Sequence, residues 1–204
     1  MNVADLSKAF SRIAGTMGKH KQELIELDAR TGDGDLGISM HAGFAAVEKY
    51  LSHAEETDLG RALMGCSSAF NEAAPSTMGT ILSFAMMGMA KVLKGKTEAS
   101  LAELVAALEA GLDLVMEKAR SKPGERTILD SLYPAVQALK QYAEVGGVDC
   151  GAAFCAAFDA AEQGMLSTAF MKPVHGRAAY YSQKSIGQID AGAAVGKLIF
   201  ESLV

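Results

Sequence analysis

The sequence has no tryptophan, and aromatic residues make up only 6% of it. Strands draw heavily on aromatic and β-branched side chains, so a β-sandwich fits this composition poorly. There are three cysteines, Cys66, Cys150 and Cys155, an odd number without paired metal-ligand spacing. They read as small buried hydrophobes of a reducing compartment rather than as a disulfide framework. The formal charge is −5 and no basic stripe interrupts it, which argues against a nucleic-acid partner. No apolar run reaches the length of a membrane span. The start, Met1-Asn2-Val3-Ala4-Asp5-Leu6, lacks the basic segment and apolar core of a signal peptide. The expectation is a soluble, cytoplasmic chain without membrane contact.

What is present is an ordinary globular mix, 50% hydrophobic and 21% charged. Its 204 residues suffice for one substantial core or two small ones. Alanine, leucine, methionine and glycine dominate, a composition suited to close-packed helices. Helical spacing runs over Val3 to Gly18, where Val3, Leu6, Phe10, Ile13, Ala14 and Met17 share a face. A short second helix ends near Asp28, and further helices follow at Ile38 to Leu51 and Leu59 to Phe70. Ile81 to Leu93 is apolar almost all round and reads as central. Ser100 opens another helical run. Thr127 and Asp130 resemble a capping box for Ile128 to Ala143. Cys150 to Thr168 is helical, Ala169 to Gly187 is a long loop, and Asp190 caps a last helix through Leu203. This gives about eight or nine helices and no convincing strand. The predicted fold is all-α, a single-domain antiparallel helical bundle or barrel.

The stretch Asp28-Ala29-Arg30-Thr31-Gly32-Asp33-Gly34-Asp35-Leu36-Gly37 interleaves three aspartates with three glycines. Carboxylates are hard oxygen donors, and clustered ones repel unless a cation such as Mg²⁺ or Ca²⁺ neutralises them. Glycines let the backbone curl so that separated side chains converge. It is not an EF-hand: counting from Asp33, the glycine slot holds Ile38 and the bidentate-Glu slot holds Phe44. The competing reading is a polar turn whose aspartates only cap a helix. Three carboxylates packed together favour metal.

Phosphate candidates are the helix starts at Ile38-Ser39, Ser76-Thr77, Thr127-Ile128 and Asp190-Ala191-Gly192. Each offers free N–H groups and a partial positive charge. Any one of them alone is better read as a routine cap. Ala90 to Thr97 meets a relaxed nucleotide-loop pattern, but a helix rather than a strand leads into it and Gly95 reads as a helix stop. In the long loop, Lys172, His175, Arg177 and Lys184 are the basic groups, and a guanidinium at Arg177 suits a phosphate.

Leu27-Asp28 with Gly32-Asp33-Gly34-Asp35-Leu36-Gly37 resembles the metal signature of the nucleotide-binding L subunit of dihydroxyacetone kinase. Gly124-Glu125-Arg126-Thr127-Ile128-Leu129-Asp130 resembles a second segment of that family. Gly176-Arg177-Ala178 and Ser185-Ile186-Gly187 to Asp190-Ala191-Gly192 resemble its C-terminal signature. The resemblance spans nearly the whole chain in the right order and implies an eight-helix barrel, with residues 1–204 as one nucleotide-binding kinase domain. It implies ADP or ATP with two Mg²⁺ on Asp28, Asp33 and Asp35. It further implies phosphate contacts along Leu36, Gly37, Ile38 and Ser39, and a second loop at Ser76, Thr77 and Gly79. Ile128 would touch the base, and Arg177 with Asp190, Ala191 and Gly192 would close over the nucleotide. The catalytic set is then Asp28, Asp33, Asp35 and Arg177. Partners implied are a K-type subunit that holds the ketose and, in one branch of the family, a phosphotransferase-system protein that recharges bound ADP. A nucleotide-sensing regulatory protein and a kinase subunit for a tetrulose are the alternatives. Leu36 and Ser39 stand where the family often has His and Asn, the second loop is Ala-Pro-Ser-Thr, and Ala191 replaces a proline.

Overall fold

The computed structural model describes residues 1–147, 149–176, 179 and 186–204. Among these residues it is all-α, as expected. In chain order the α-helices are α1 (Val3–Lys19), α2 (Lys21–Asp28), α3 (Leu36–His53), α4 (Leu59–Ala73), α5 (Thr77–Leu93), α6 (Leu101–Ala119), α7 (Leu129–Glu144), α8 (Cys150–Ser167) and α9 (Ala191–Glu201). A 3₁₀ turn at Thr168–Phe170 extends α8. The extended pairing found among the described residues is an isolated bridge between Asn2 and Glu98. No helix of these residues is long and apolar enough to cross a membrane.

The residues group into two compact units, Met1–Gly18 with Ser39–Arg120, and Lys19–Ile38 with Ser121–Val204. In the first unit, α1 buries Leu6, Phe10, Ile13, Ala14 and Met17, the face its periodicity predicts. Phe10 lies 6.3 Å from Phe44 of α3, which meets Phe70 of α4 edge-on at 4.9 Å. Phe70 is fully buried, and such a side chain contributes about 1.5–3 kcal/mol by leaving water. Beyond it, α4 packs on α5 and α5 on α6. Ser67 and Ser83 each donate to the other's carbonyl across α4 and α5, which satisfies two hydroxyls with no access to water. Asp58 caps α4 and also accepts from Gly95 N–H at 2.8 Å, fixing the stop after α5. That geometry explains the false nucleotide-loop match at Ala90 to Thr97.

In the second unit, α7 packs on α8 and α9, α8 on α9, and α2 on α9. Ala153, Ala157 and Ala161 form a fully buried four-residue repeat along α8, where small side chains allow close approach. The predicted capping box at α7 is present in altered form. Asp130 accepts from Thr127 N–H at 2.7 Å, while Thr127 Oγ1 accepts from Leu129 N–H at 3.2 Å.

α5 begins at Thr77, at the helix start expected for Ser76-Thr77, because Ser76 Oγ accepts from Gly79 N–H. Two expectations need correction. α3 begins at Leu36 rather than Ile38, directly after Asp35. Cys66 is buried, which pushes its thiol up to about 12, whereas Cys150 and Cys155 are exposed on α8.

Candidate metal centre

The centre is built on the exit from α2. After Asp28 the chain folds back at once, with Thr31 and Gly32 N–H both donating to the Asp28 carbonyl at 3.1 and 2.6 Å. Asp28 Oδ2 then accepts from Gly34 N–H at 2.9 Å. Both features require glycine. A Cβ at residue 32 would lie 2.8 Å from Asp28 Cγ, and Gly34 has φ +75°, a left-handed conformation that side chains resist. The loop therefore curls as its glycine content predicts, and α3 starts where it ends.

The curl brings one carboxylate oxygen from each of Asp28, Asp33 and Asp35 within 4.8 Å of the others. Asp28 is half-buried, and Asp33 and Asp35 are exposed. The donor set is all oxygen and all anionic, which suits Mg²⁺ or Ca²⁺ and not a thiophilic metal. The residues fit the ion. Immediately beyond them, α3 presents the first N–H groups of a helix, an environment that favours anions. Leu36 and Gly37 are buried, Ser39 is half-buried, and Ile38 is 51% exposed. A candidate cation site thus adjoins an anion-favouring helix start in one short segment, an arrangement that can receive a metal-bound polyphosphate.

A second polar group lies in the same unit. Asp190 caps α9, accepting from Ala193 N–H at 2.8 Å, while its own N–H donates to the buried Thr168 Oγ1 at 2.9 Å. Arg126, itself buried, donates from Nη2 to the Gln188 carbonyl at 2.8 Å. Burial pushes the Asp190 carboxyl up to about 6, and Asp130 adds to this; the Ala193 N–H and the Arg126 charge work the other way without cancelling it. A raised folded value means that the native state holds the proton more tightly than the unfolded chain. The stabilisation is therefore complete below about 3.8 and is lost as pH rises through about 6. Asp190→Asn keeps a capping oxygen without the charge. Its unfolding free energy is expected to lose this pH dependence between pH 4 and 6 and to exceed that of wild type at pH 7 by up to about 3 kcal/mol. Equal pH slopes in both proteins would remove Asp190 as the source.

Ala191 is half-buried and Gly192 buried at the start of α9. Ile128, expected against a base, is 1% exposed, so in this conformation it offers a ligand no surface. Ser76, Thr77 and Gly79 belong to the first unit. There Ser76 Oγ is engaged as the α5 cap, Thr77 is exposed and Gly79 buried. Arg177, Ala178, Lys184 and Ser185 lie outside the described residues. Sequence reasoning missed two contacts. His175 Nε2 sits 2.6 Å from Glu125 Oε2, and with the Lys122 N–H this holds the Glu125 carboxyl below its ordinary range. Arg126 is the other, and its presence in a family-like segment was the available signal.

The family profile described as "DAK2 domain" matches residues 30–204. The chain is 28% identical over 186 residues to the ADP-binding subunit DhaL of PEP-dependent dihydroxyacetone kinase 1 from Listeria innocua, covering 91% of this chain and 87% of that protein. It is 28% identical to the corresponding subunit from Escherichia coli, covering 90% and 87%. An L-erythrulose kinase from Pectobacterium atrosepticum is 32% identical over 89% of this chain and 31% of its own length. Among solved structures, the dihydroxyacetone kinase of C. freundii superposes with TM-score 0.78 at 22% identity. Its complex with AMP-PNP and Mg²⁺ gives the same score at 23% identity. The chain spans about a third of those solved chains, 34% and 33%, and at these identities the likeness is one of fold. With the profile matched from residue 30 to the last residue, the chain belongs to the DAK2 domain family.

Proposed function

We propose that this chain binds ADP or ATP as a Mg²⁺ complex and supplies the phosphoryl group in a kinase reaction on dihydroxyacetone or a related small ketose. The observation that carries the reading is the convergence of Asp28, Asp33 and Asp35 directly before the first turn of α3. Mg²⁺, when bound, neutralises charge on the phosphates and so lowers the barrier to transfer. Asp28, Asp33 and Asp35 hold it, as one ion or a pair. The backbone from Leu36 to Ser39 receives the phosphates. Ser76, Thr77 and Gly79 form a second nucleotide loop, and Arg177 with Asp190, Ala191 and Gly192 covers the nucleotide. A base contact at Ile128 requires its segment to open. Residues 1–204 act together as one nucleotide-binding domain.

The acceptor sits on a K-type partner subunit, so this chain needs no general base of its own. Two relatives are named ADP-binding subunits of PEP-dependent kinases, which supports ADP held in place and recharged by a phosphotransferase-system protein. The relative that phosphorylates L-erythrulose keeps a tetrulose open as the acceptor. A purely nucleotide-sensing role would leave the protein unable to support turnover with any such partner.

Mass spectrometry and phosphorus NMR of the purified protein, with and without a Mg²⁺ chelator, test the reading. ADP that co-purifies and leaves on chelation is expected in the recharged mode, and reversible Mg²⁺-dependent ATP binding in the exchanging mode. Failure to bind either nucleotide at any Mg²⁺ concentration overturns the proposal.

A further inference from the structure

Arg126 combines two features that rarely occur together. Its backbone has φ +61°, the left-handed region that favours glycine, and its charged side chain is 5% exposed. Strained backbone at a non-glycine residue persists where the surroundings require that side chain. A guanidinium in the interior requires acceptors. Here the Gln188 carbonyl accepts from Nη2 at 2.8 Å, and the Arg126 charge acts on Asp190 two residues further on. The anchor itself is firm. Asp130 accepts from Gly124 and Thr127 N–H on either side of Arg126, at the entrance to α7. Beyond Gln188, Asp190 ties its N–H to Thr168 and its carboxylate to Ala193. Arg126 is therefore the side chain that joins the segment entering α7 to the segment entering α9.

We propose that Arg126 is a positioning residue that fastens residues 188–192, so that the first turn of α9 is preorganised to meet the nucleotide. It touches no ligand itself. The inference rests on the nucleotide-binding reading of Asp190 to Gly192. Preorganisation contributes to affinity by removing the ordering cost at binding, so its loss appears first as weaker binding and faster local opening.

Arg126→Gly removes the latch and also relaxes the left-handed backbone, so it is not a simple destabilising change. Arg126→Lys keeps a cation but loses the planar fork of donors. Full-length wild type and both variants are titrated with ADP in saturating Mg²⁺. Amide hydrogen exchange is followed by mass spectrometry over residues 186–193, with α7 and α8 as reference. Arg126→Gly is expected to bind ADP at least tenfold more weakly, with exchange accelerated in 186–193 and unchanged in α7 and α8. Arg126→Lys is expected to recover part of both. Unchanged affinity and exchange overturn the latch, as does acceleration spread equally through α7 and α8, which marks a general structural role. If wild type itself binds no ADP, the nucleotide reading fails. The exchange comparison then still decides the latch: acceleration confined to 186–193 supports it, and its absence overturns it.

Discussion

Asp33→Asn is expected to weaken Mg²⁺-dependent ADP binding by more than about 100-fold while the thermal midpoint stays level or rises. Loss of outer-shell partners alone costs metal sites roughly 10–100-fold, and Asp33 is proposed as a direct ligand. The carboxamide keeps the shape and one oxygen but loses the charge that draws a hard cation from its water. Asp33 is exposed, so the exchange opens no cavity. It also relieves repulsion among three carboxylates whose oxygens approach within 4.8 Å. The two effects have opposite signs, and this separates a functional cluster from a structural one. Calorimetric titration with Mg²⁺ and ADP, beside a thermal melt, measures both. Unchanged affinity removes Asp33 from the metal site, and a collapsed melting transition makes the cluster a structural element. Asp28→Asn tests the same site from its buried side, because an asparagine oxygen still accepts from Gly34 N–H.

The convergence of the three carboxylates was legible in the sequence because it is local. Asp28, Asp33 and Asp35 lie within one turn of chain, and Gly32 and Gly34 announce the curl that joins them. Helix starts were legible where a cap spoke clearly, as at Ser100, which forms a complete capping box with Glu103. The start of α3 was placed two residues late because apolar periodicity was followed there, and its first turn carries Gly37 and Ser39 and so looks like loop. The Arg126–Gln188 bond was not legible. It joins positions 62 residues apart, and it depends on a left-handed φ at a residue that gives no compositional sign of one. The pairing of His175 with Glu125 was hidden for the same reason, at a separation of 50 residues. The base contact at Ile128 came from the family resemblance alone, since an apolar residue near a helix start serves a base-binding wall and a core equally well.

Gly37→Ala is expected to destabilise the protein by roughly 1–3 kcal/mol and to loosen Mg²⁺ binding at least tenfold. In an ordinary helix the sign is opposite, because alanine exceeds glycine by about 1 kcal/mol in helix propensity. Gly37 is not in ordinary surroundings. Its added Cβ would fall inside van der Waals contact of the Lys21 carbonyl oxygen, 3.1 Å from Ile25 N and 3.0 Å from Ile25 Cγ1. Two of these three atoms are α2 backbone, which cannot rotate aside as a side chain can. The first turn of α3 must therefore back away from α2. Asp28 stands at the end of α2 and Asp35 directly before α3, so that movement separates the carboxylates proposed to share a cation. Ile38→Ala is the control: the residue is adjacent but 51% exposed, so its change should stay within about 0.5 kcal/mol. Chemical denaturation and Mg²⁺ titration of the two variants give the comparison. A Gly37→Ala protein as stable as wild type, with metal affinity retained, would show that residues 36–38 tolerate a wider spacing from Lys21 and Ile25. The site would then depend on the glycines of the loop alone, and not on how closely Gly37 is set against Ile25.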